Sequence, residues 1–171
     1  MRKNIFYITM MAVMAVVAMS FTACGGDSDD PLDNSGKETS ETYIEPCLDW
    51  GCDINHIKTY MGSSMELSNE QKQFDVTVLA YTTSDYKYVL TYALTPKLYQ
   101  VYVYHYDKNR DYFTKLISQY ETRYQTKFEM EEDDRFESYA TKCYINGKYC
   151  SVLVDYDAKT NAVIVVFSLA E

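Results

Sequence analysis

The chain has 171 residues, 25 of them acidic and 16 basic, for a formal net charge of −9. An acidic excess of this size speaks against nucleic acid and anionic lipid headgroups as partners, since both would repel it. Nearly half the residues are apolar or aromatic and 18 are tyrosine, which is material for one core in one domain.

The first segment is an address. Arg2 and Lys3 precede a run from Asn4 to Ser20 that is almost wholly apolar or neutral, the layout of a secretory signal. The run is too short for a confident membrane span. It closes on Phe21-Thr22-Ala23-Cys24, and a small residue just before a cysteine resembles the lipobox of bacterial lipoproteins. In that family signal peptidase II cuts before the cysteine and the thiol receives diacylglycerol. The resemblance implies a signal peptide over residues 1–23 and a lipid anchor on Cys24; a peptide cut elsewhere, or an uncleaved anchor, is the alternative. Each buried methylene contributes about 0.8 kcal/mol, so two or three acyl chains hold durably where one does not. Loss of residues 1–23 removes Arg2 and Lys3 and no acid, which takes the formal charge from −9 to −11.

Residues 25–42, GGDSDDPLDNSGKETSET, hold one leucine and no aromatic residue, so residues 24–42 are expected to form a disordered acidic tether. Eighteen such residues span roughly 25 Å root-mean-square. Acids soon after the lipidated cysteine resemble the surface-export signal of Bacteroidota-type lipoproteins, and Asp27, Asp29 and Asp30 stand in those places. The resemblance implies an outer-membrane lipoprotein displayed on the cell surface, with attachment facing the periplasm as the alternative. Gly25, where an inner-membrane retention signal would have aspartate, agrees with export.

From residue 43 to 171 aromatic and β-branched residues take over, and one α+β domain is expected. The first element is a helix from Asp53 to Met61: Asp53 suits the N-cap, Ile54, Ile57, Tyr60 and Met61 recur at helical spacing, and Gly62 suits the left-handed C-terminal position. Just ahead of it, Trp50 is expected to roof the core while Gly51 lets the chain turn. Three strands follow over residues 74–81, 86–94 and 98–106. In the first, Phe74, Val76, Val78 and Ala80 share a face. A second helix is expected from Asn109 to Phe128, with Tyr112, Phe113, Leu116, Ile117, Tyr120, Tyr124 and Phe128 as its apolar stripe, ended by the acid run 129–134. Strands over 136–145, 148–156 and 162–169 close the chain. Asn146-Gly147 is a type I′ turn signal that pairs Ile145 with Lys148, Tyr144 with Tyr149 and Cys143 with Cys150. The expected order is α-β-β-β-α-β-β-β, which would be a tandem repeat, with an antiparallel sheet carrying both helices on one face.

The stretch Glu45 to Met61, EPCLDWGCDINHIKTYM, resembles a segment of small Bacteroidota lipoproteins: a proline, then Trp-Gly, then a helix bearing Ile-Lys and Met. No activity attaches to that resemblance. The element order is similar to β-lactamase-inhibitor-protein and outer-membrane assembly lipoprotein folds, and order alone assigns no function.

Four cysteines remain beyond Cys24: Cys47, Cys52, Cys143 and Cys150. An even count in an exported domain points to disulfides, with three connectivities open. The local pairs Cys47–Cys52 and Cys143–Cys150 come first and free buried thiols are the alternative. Opposed cysteines on paired strands sit rather wide for a bridge. Cys47, Cys52 and His56, spaced C-x4-C-x3-H, lack the tighter paired spacing of structural zinc, and no metal or other cofactor is assigned. Cys52 and His56 as nucleophile and base lack an orienting acid and an oxyanion loop. The acid run 129–134 lacks the alternating ligands and turn glycine of a calcium loop. With six glycines and no phosphate loop, GxSxG or HExxH, the chain is not expected to be an enzyme. The remaining candidates are Tyr99, Tyr102, Tyr104 and Tyr106, whose amphipathic rings suit protein or glycan recognition. The reading is a non-catalytic, protein-interacting lipoprotein that meets an envelope or extracellular partner; the alternative is a glycan-binding accessory, and a hydrolase comes last.

Overall fold

The computed structural model describes residues 44–62, 64–131 and 136–170. The signal segment, Cys24, the acidic tether and Glu132, Asp133 and Asp134 of the acid run lie outside the described residues. The chain divides after Glu45, and the helices and strands all belong to the compact unit Pro46–Glu171.

Helix α1, Ile54–Met61, begins where its cap chemistry demands: the Asp53 carboxylate accepts from the His56 amide at 3.0 Å, and Gly62 follows the last turn with φ +48°. Four strands come next: β1 Glu66–Gln73, β2 Val76–Thr82, β3 Tyr88–Leu94 and β4 Leu98–His105. Helix α2, Arg110–Tyr124, is capped by Asn109, whose side chain accepts from the Tyr112 amide at 2.9 Å. Strands β5 Glu129–Glu131, β6 Glu137–Ile145, β7 Lys148–Asp157 and β8 Ala162–Leu169 complete the unit. All eight join one antiparallel sheet in the order β1-β2-β3-β4-β8-β7-β6-β5.

Register shows where the helices lie. Directly opposed residues point to the same side of a sheet, and Leu79, Tyr92, Val101, Phe167, Val152 and Thr141 are consecutive partners across six strands. The Tyr92 hydroxyl donates to the Met61 sulfur of α1 at 3.1 Å, and the Phe167 ring meets Tyr120 of α2 edge-on at 5.8 Å. Both helices therefore cover one face, and the domain is α+β as the sequence predicts. Between helices and sheet, Ile57 and Phe113 from the helices and Leu79, Leu90, Val103 and Val165 from the strands are at most 1% exposed. Full burial of a side chain of this kind stabilises the fold by about 1.5–3 kcal/mol.

Strands β1 and β5 stand where no strand is expected, at the two outer edges of the sheet. β1 reads ELSNEQKQ and stays exposed along nearly all its length. It joins through backbone hydrogen bonds to β2, and its charges suit an edge that must not recruit another strand. Phe74, expected on an inward face, instead forms the turn after β1 with φ +54° and is 89% exposed. Tyr86, expected to open β3, also sits in a turn, with φ +56°. Helix α2 stops four residues early, because Gln125 adopts a left-handed conformation and Glu121 turns back to accept from the Phe128 amide at 3.1 Å. Part of the acid run, Glu129–Glu131, then pairs with β6 rather than simply ending the helix.

Candidate functional site

The sheet face away from the helices carries the residues of opposite parity. Tyr102, Tyr104 and Tyr106 form a ladder there, with ring centroids 6.3 and 6.2 Å apart and planes within 13° of parallel. The Tyr102 hydroxyl donates to Gln100, whose amide donates to Ser168, each at 2.9 Å. Two of these phenols lie deeper than recognition by an exposed ring would need. Tyr102 and Tyr104 are 4% and 6% exposed, and Tyr99 and Tyr106 are half-buried. The stacking itself shields part of each ring, and burial pushes the Tyr106 hydroxyl up to about 12.

The open aromatic pair on this face lies elsewhere. Tyr144 and Tyr149 face each other across the β6–β7 hairpin, their rings 5.3 Å apart, and are 72% and 44% exposed. The hairpin has the expected type I′ form, with φ +50° at Asn146 and +74° at Gly147. The signal for this pair was present in that turn, since it opposes Tyr144 and Tyr149; their exposure was not legible.

A second constellation sits at the end of the sheet where β4 begins. The segment from Cys47 to Cys52 has no regular structure, yet it is held from three sides. The Cys47 amide donates to the Tyr92 hydroxyl at 3.0 Å. The Gly51 amide donates to the Leu98 carbonyl at 3.2 Å, and the Leu98 amide returns to the Cys52 carbonyl at 2.9 Å. The Asn146 side chain donates to the Leu48 carbonyl at 3.1 Å. Gly51 holds φ +81°, a value that suits glycine. On this segment, Cys47 Sγ, Cys52 Sγ and a His56 ring nitrogen lie within 4.8 Å of one another. The Asp49 carboxylate is 2.8 Å from His56 Nε2, so an orienting acid does stand beside that histidine.

Both thiols are pushed above the ordinary cysteine range. Burial raises Cys47, and burial together with the neighbouring Cys47 pushes Cys52 up to about 12. A thiol held that high supplies little thiolate for nucleophilic work near neutral pH. Cys143 and Cys150 are opposed partners of β6 and β7, both buried, and burial with the nearby Cys143 pushes Cys150 up to about 11. All four described cysteines are free thiols, so neither expected bridge is formed in this structure. Opposed side chains on paired strands leave the sheet in parallel, which keeps two sulfurs apart.

His105, the second histidine, is 2% exposed on the helix face of β4. Its Nδ1 lies 3.0 Å from the Tyr112 hydroxyl, while Nε2 is buried without a hydrogen-bond partner among the described residues. Burial and the positive charge of Lys108 bring its pKa down to about 3. It is a neutral core histidine.

Comparison with models of protein families, with curated proteins and with solved structures finds no match in any of the three.

Proposed function

We propose that the chain is a lipid-anchored lipoprotein of the outer membrane, displayed on the cell surface, whose folded unit works without catalysis as a protein-interaction module. The observation that carries the recognition half is the Tyr144–Tyr149 pair, two large rings exposed on a sheet face that no described helix covers. Tyrosine is a favoured anchor in interfaces because its ring buries much area at small conformational cost while the hydroxyl stays hydrogen-bonded. The anchoring half rests on residues outside the described ones, above all Cys24. Among the described residues no helix is long and apolar enough to cross a membrane.

The element order supports a finer reading of the fold. A helix and a four-strand meander occur twice, and the last strands of the two meanders, β4 and β8, pair at the centre of the sheet. A duplicated unit with an approximate two-fold relation accounts for that arrangement.

Two measurements test the proposal. Cys24→Ser should abolish metabolic lipid labelling and release the protein from the membrane fraction; a variant that stays membrane-bound without label refutes the anchor. Proximity crosslinking from intact cells should yield a protein adduct that Tyr144→Ala with Tyr149→Ala reduces at least tenfold. Equal adducts from both chains, or binding to a glycan array that the double variant loses, would defeat the protein-recognition reading.

A further inference from the structure

We propose that Cys47, Cys52 and His56 form a binding site for one thiophilic transition-metal ion of the zinc class, with Asp49 as the residue that positions the imidazole. Donor chemistry selects the ion. Two thiolates and one imidazole suit borderline-soft ions and fit calcium or magnesium poorly. Ions of the zinc class take thiolate sulfur at about 2.3 Å and imidazole nitrogen at about 2.0–2.1 Å, which puts tetrahedral ligands about 3.5–3.8 Å apart. The three donor atoms lie within 4.8 Å of one another, so contraction by about 1 Å closes the set. Cys52 is half-buried and His56 exposed, which leaves both side chains room to make that movement. Cys47 is fully buried and supplies the fixed corner.

The surroundings are organised for the purpose. The Cys47–Cys52 segment is tied to Tyr92, Leu98 and Asn146, and His56 lies in the first turn of α1, capped by Asp53. Donors held by such supports lose little freedom on binding. The Asp49 carboxylate at 2.8 Å from Nε2 fixes the ring's orientation, the part an acid commonly plays beside a metal-bound histidine. Three protein donors leave a fourth position for water. Spacing alone weighs against this set, because C-x4-C-x3-H is not a tight metal pair; the turn at Gly51 and the helix start bring the third donor back.

The test uses the reduced full chain, stripped with a chelator and titrated with Co²⁺, then with Zn²⁺ in competition. One Co²⁺ per chain should give thiolate charge-transfer absorption and tetrahedral visible bands, both erased by Zn²⁺. Cys52→Ser and His56→Ala should each weaken binding about tenfold or more, and Asp49→Asn about tenfold with the spectrum retained. Cys143→Ala should change nothing. Circular dichroism confirms that the variants fold, which the exposed or half-buried positions of Asp49, Cys52 and His56 favour. The proposal fails if no tetrahedral spectrum forms, if His56→Ala binds as tightly as the parent chain, or if Cys143→Ala removes the signal. It also fails if protein exported by its own cells carries a Cys47–Cys52 disulfide.

Discussion

Lowering the pH from 7 to 5 should withdraw about 2 kcal/mol of stability at a single side chain, His105. The imidazole lies under α2 between Tyr88 and Tyr112, with ring centroids 4.8 and 5.4 Å away, and Lys108 is the charged group that faces it. Burial and that lysine bring its pKa from 6.5 down to about 3 in the folded state. The unfolded chain therefore binds more protons than the folded one between those two values, and stability rises with pH across that window. Each pH unit below the unfolded value costs about 1.4 kcal/mol, so the loss at pH 5 is about 2 kcal/mol, growing until the folded value is reached. Urea unfolding at pH 7 and pH 5 measures it as a fall in midpoint at constant slope. His105→Phe supplies the reference: loss of the Tyr112 hydrogen bond costs about 1 kcal/mol at both pH values, but the pH dependence assigned to this ring disappears. Identical pH dependence in both chains, or a His105 proton resonance that titrates near 6.5 in the folded protein, would refute the assignment.

Tyr92→Phe deletes the hydroxyl that accepts from Cys47 and donates to Met61, and should cost about 1–2 kcal/mol in chemical denaturation while Cys52 becomes quicker to alkylate. Asn146→Ala breaks both a positive-φ turn position and the tie to Leu48, for a loss of about 1–2 kcal/mol, whereas Asn146→Gly restores the turn and recovers part of it. Cys143 and Cys150 should resist maleimide for as long as the chain stays folded and react at once in urea, read by mass; fast labelling of the native state would contradict their burial.

The features legible in the sequence are those set by local interactions. The β6–β7 hairpin was legible to the residue, because a two-residue turn with positive φ at both positions dictates every pair beyond it, down to Cys143 and Cys150. The cap Asp53 was legible for the same reason, since a carboxylate answers an amide three residues on, whereas Asn109 was read as the start of its helix and not as its cap. β1 was not, since an edge strand that faces solvent has no alternation to display and is chosen by its partner β2. The end of α2 was hidden because it depends on Glu121 folding back and on Thr126 meeting Thr141 of β6, which is a tertiary contact. Tyr102 and Tyr104 misled through composition, for tyrosine spacing gives the face and not the depth.

The Cys47–Cys52 segment shows why a candidate site can be local in sequence and still not be decided by spacing. Its backbone ties reach Tyr92, 45 residues away, and Asn146, 98 residues from Leu48. A segment without helix or strand hydrogen bonds would ordinarily leave its polar groups to water and sample many conformations. Here the amides of Cys47 and Gly51 and the carbonyls of Leu48 and Cys52 are met by groups on β3, at the start of β4 and at the β6–β7 turn. Those partners belong to both meanders, so the full set of ties exists only where the sheet is closed through β4 and β8. Placement of Cys47 and Cys52 beside His56 is thus a product of the whole fold, and a chain that formed α1 and its cap alone would hold none of it.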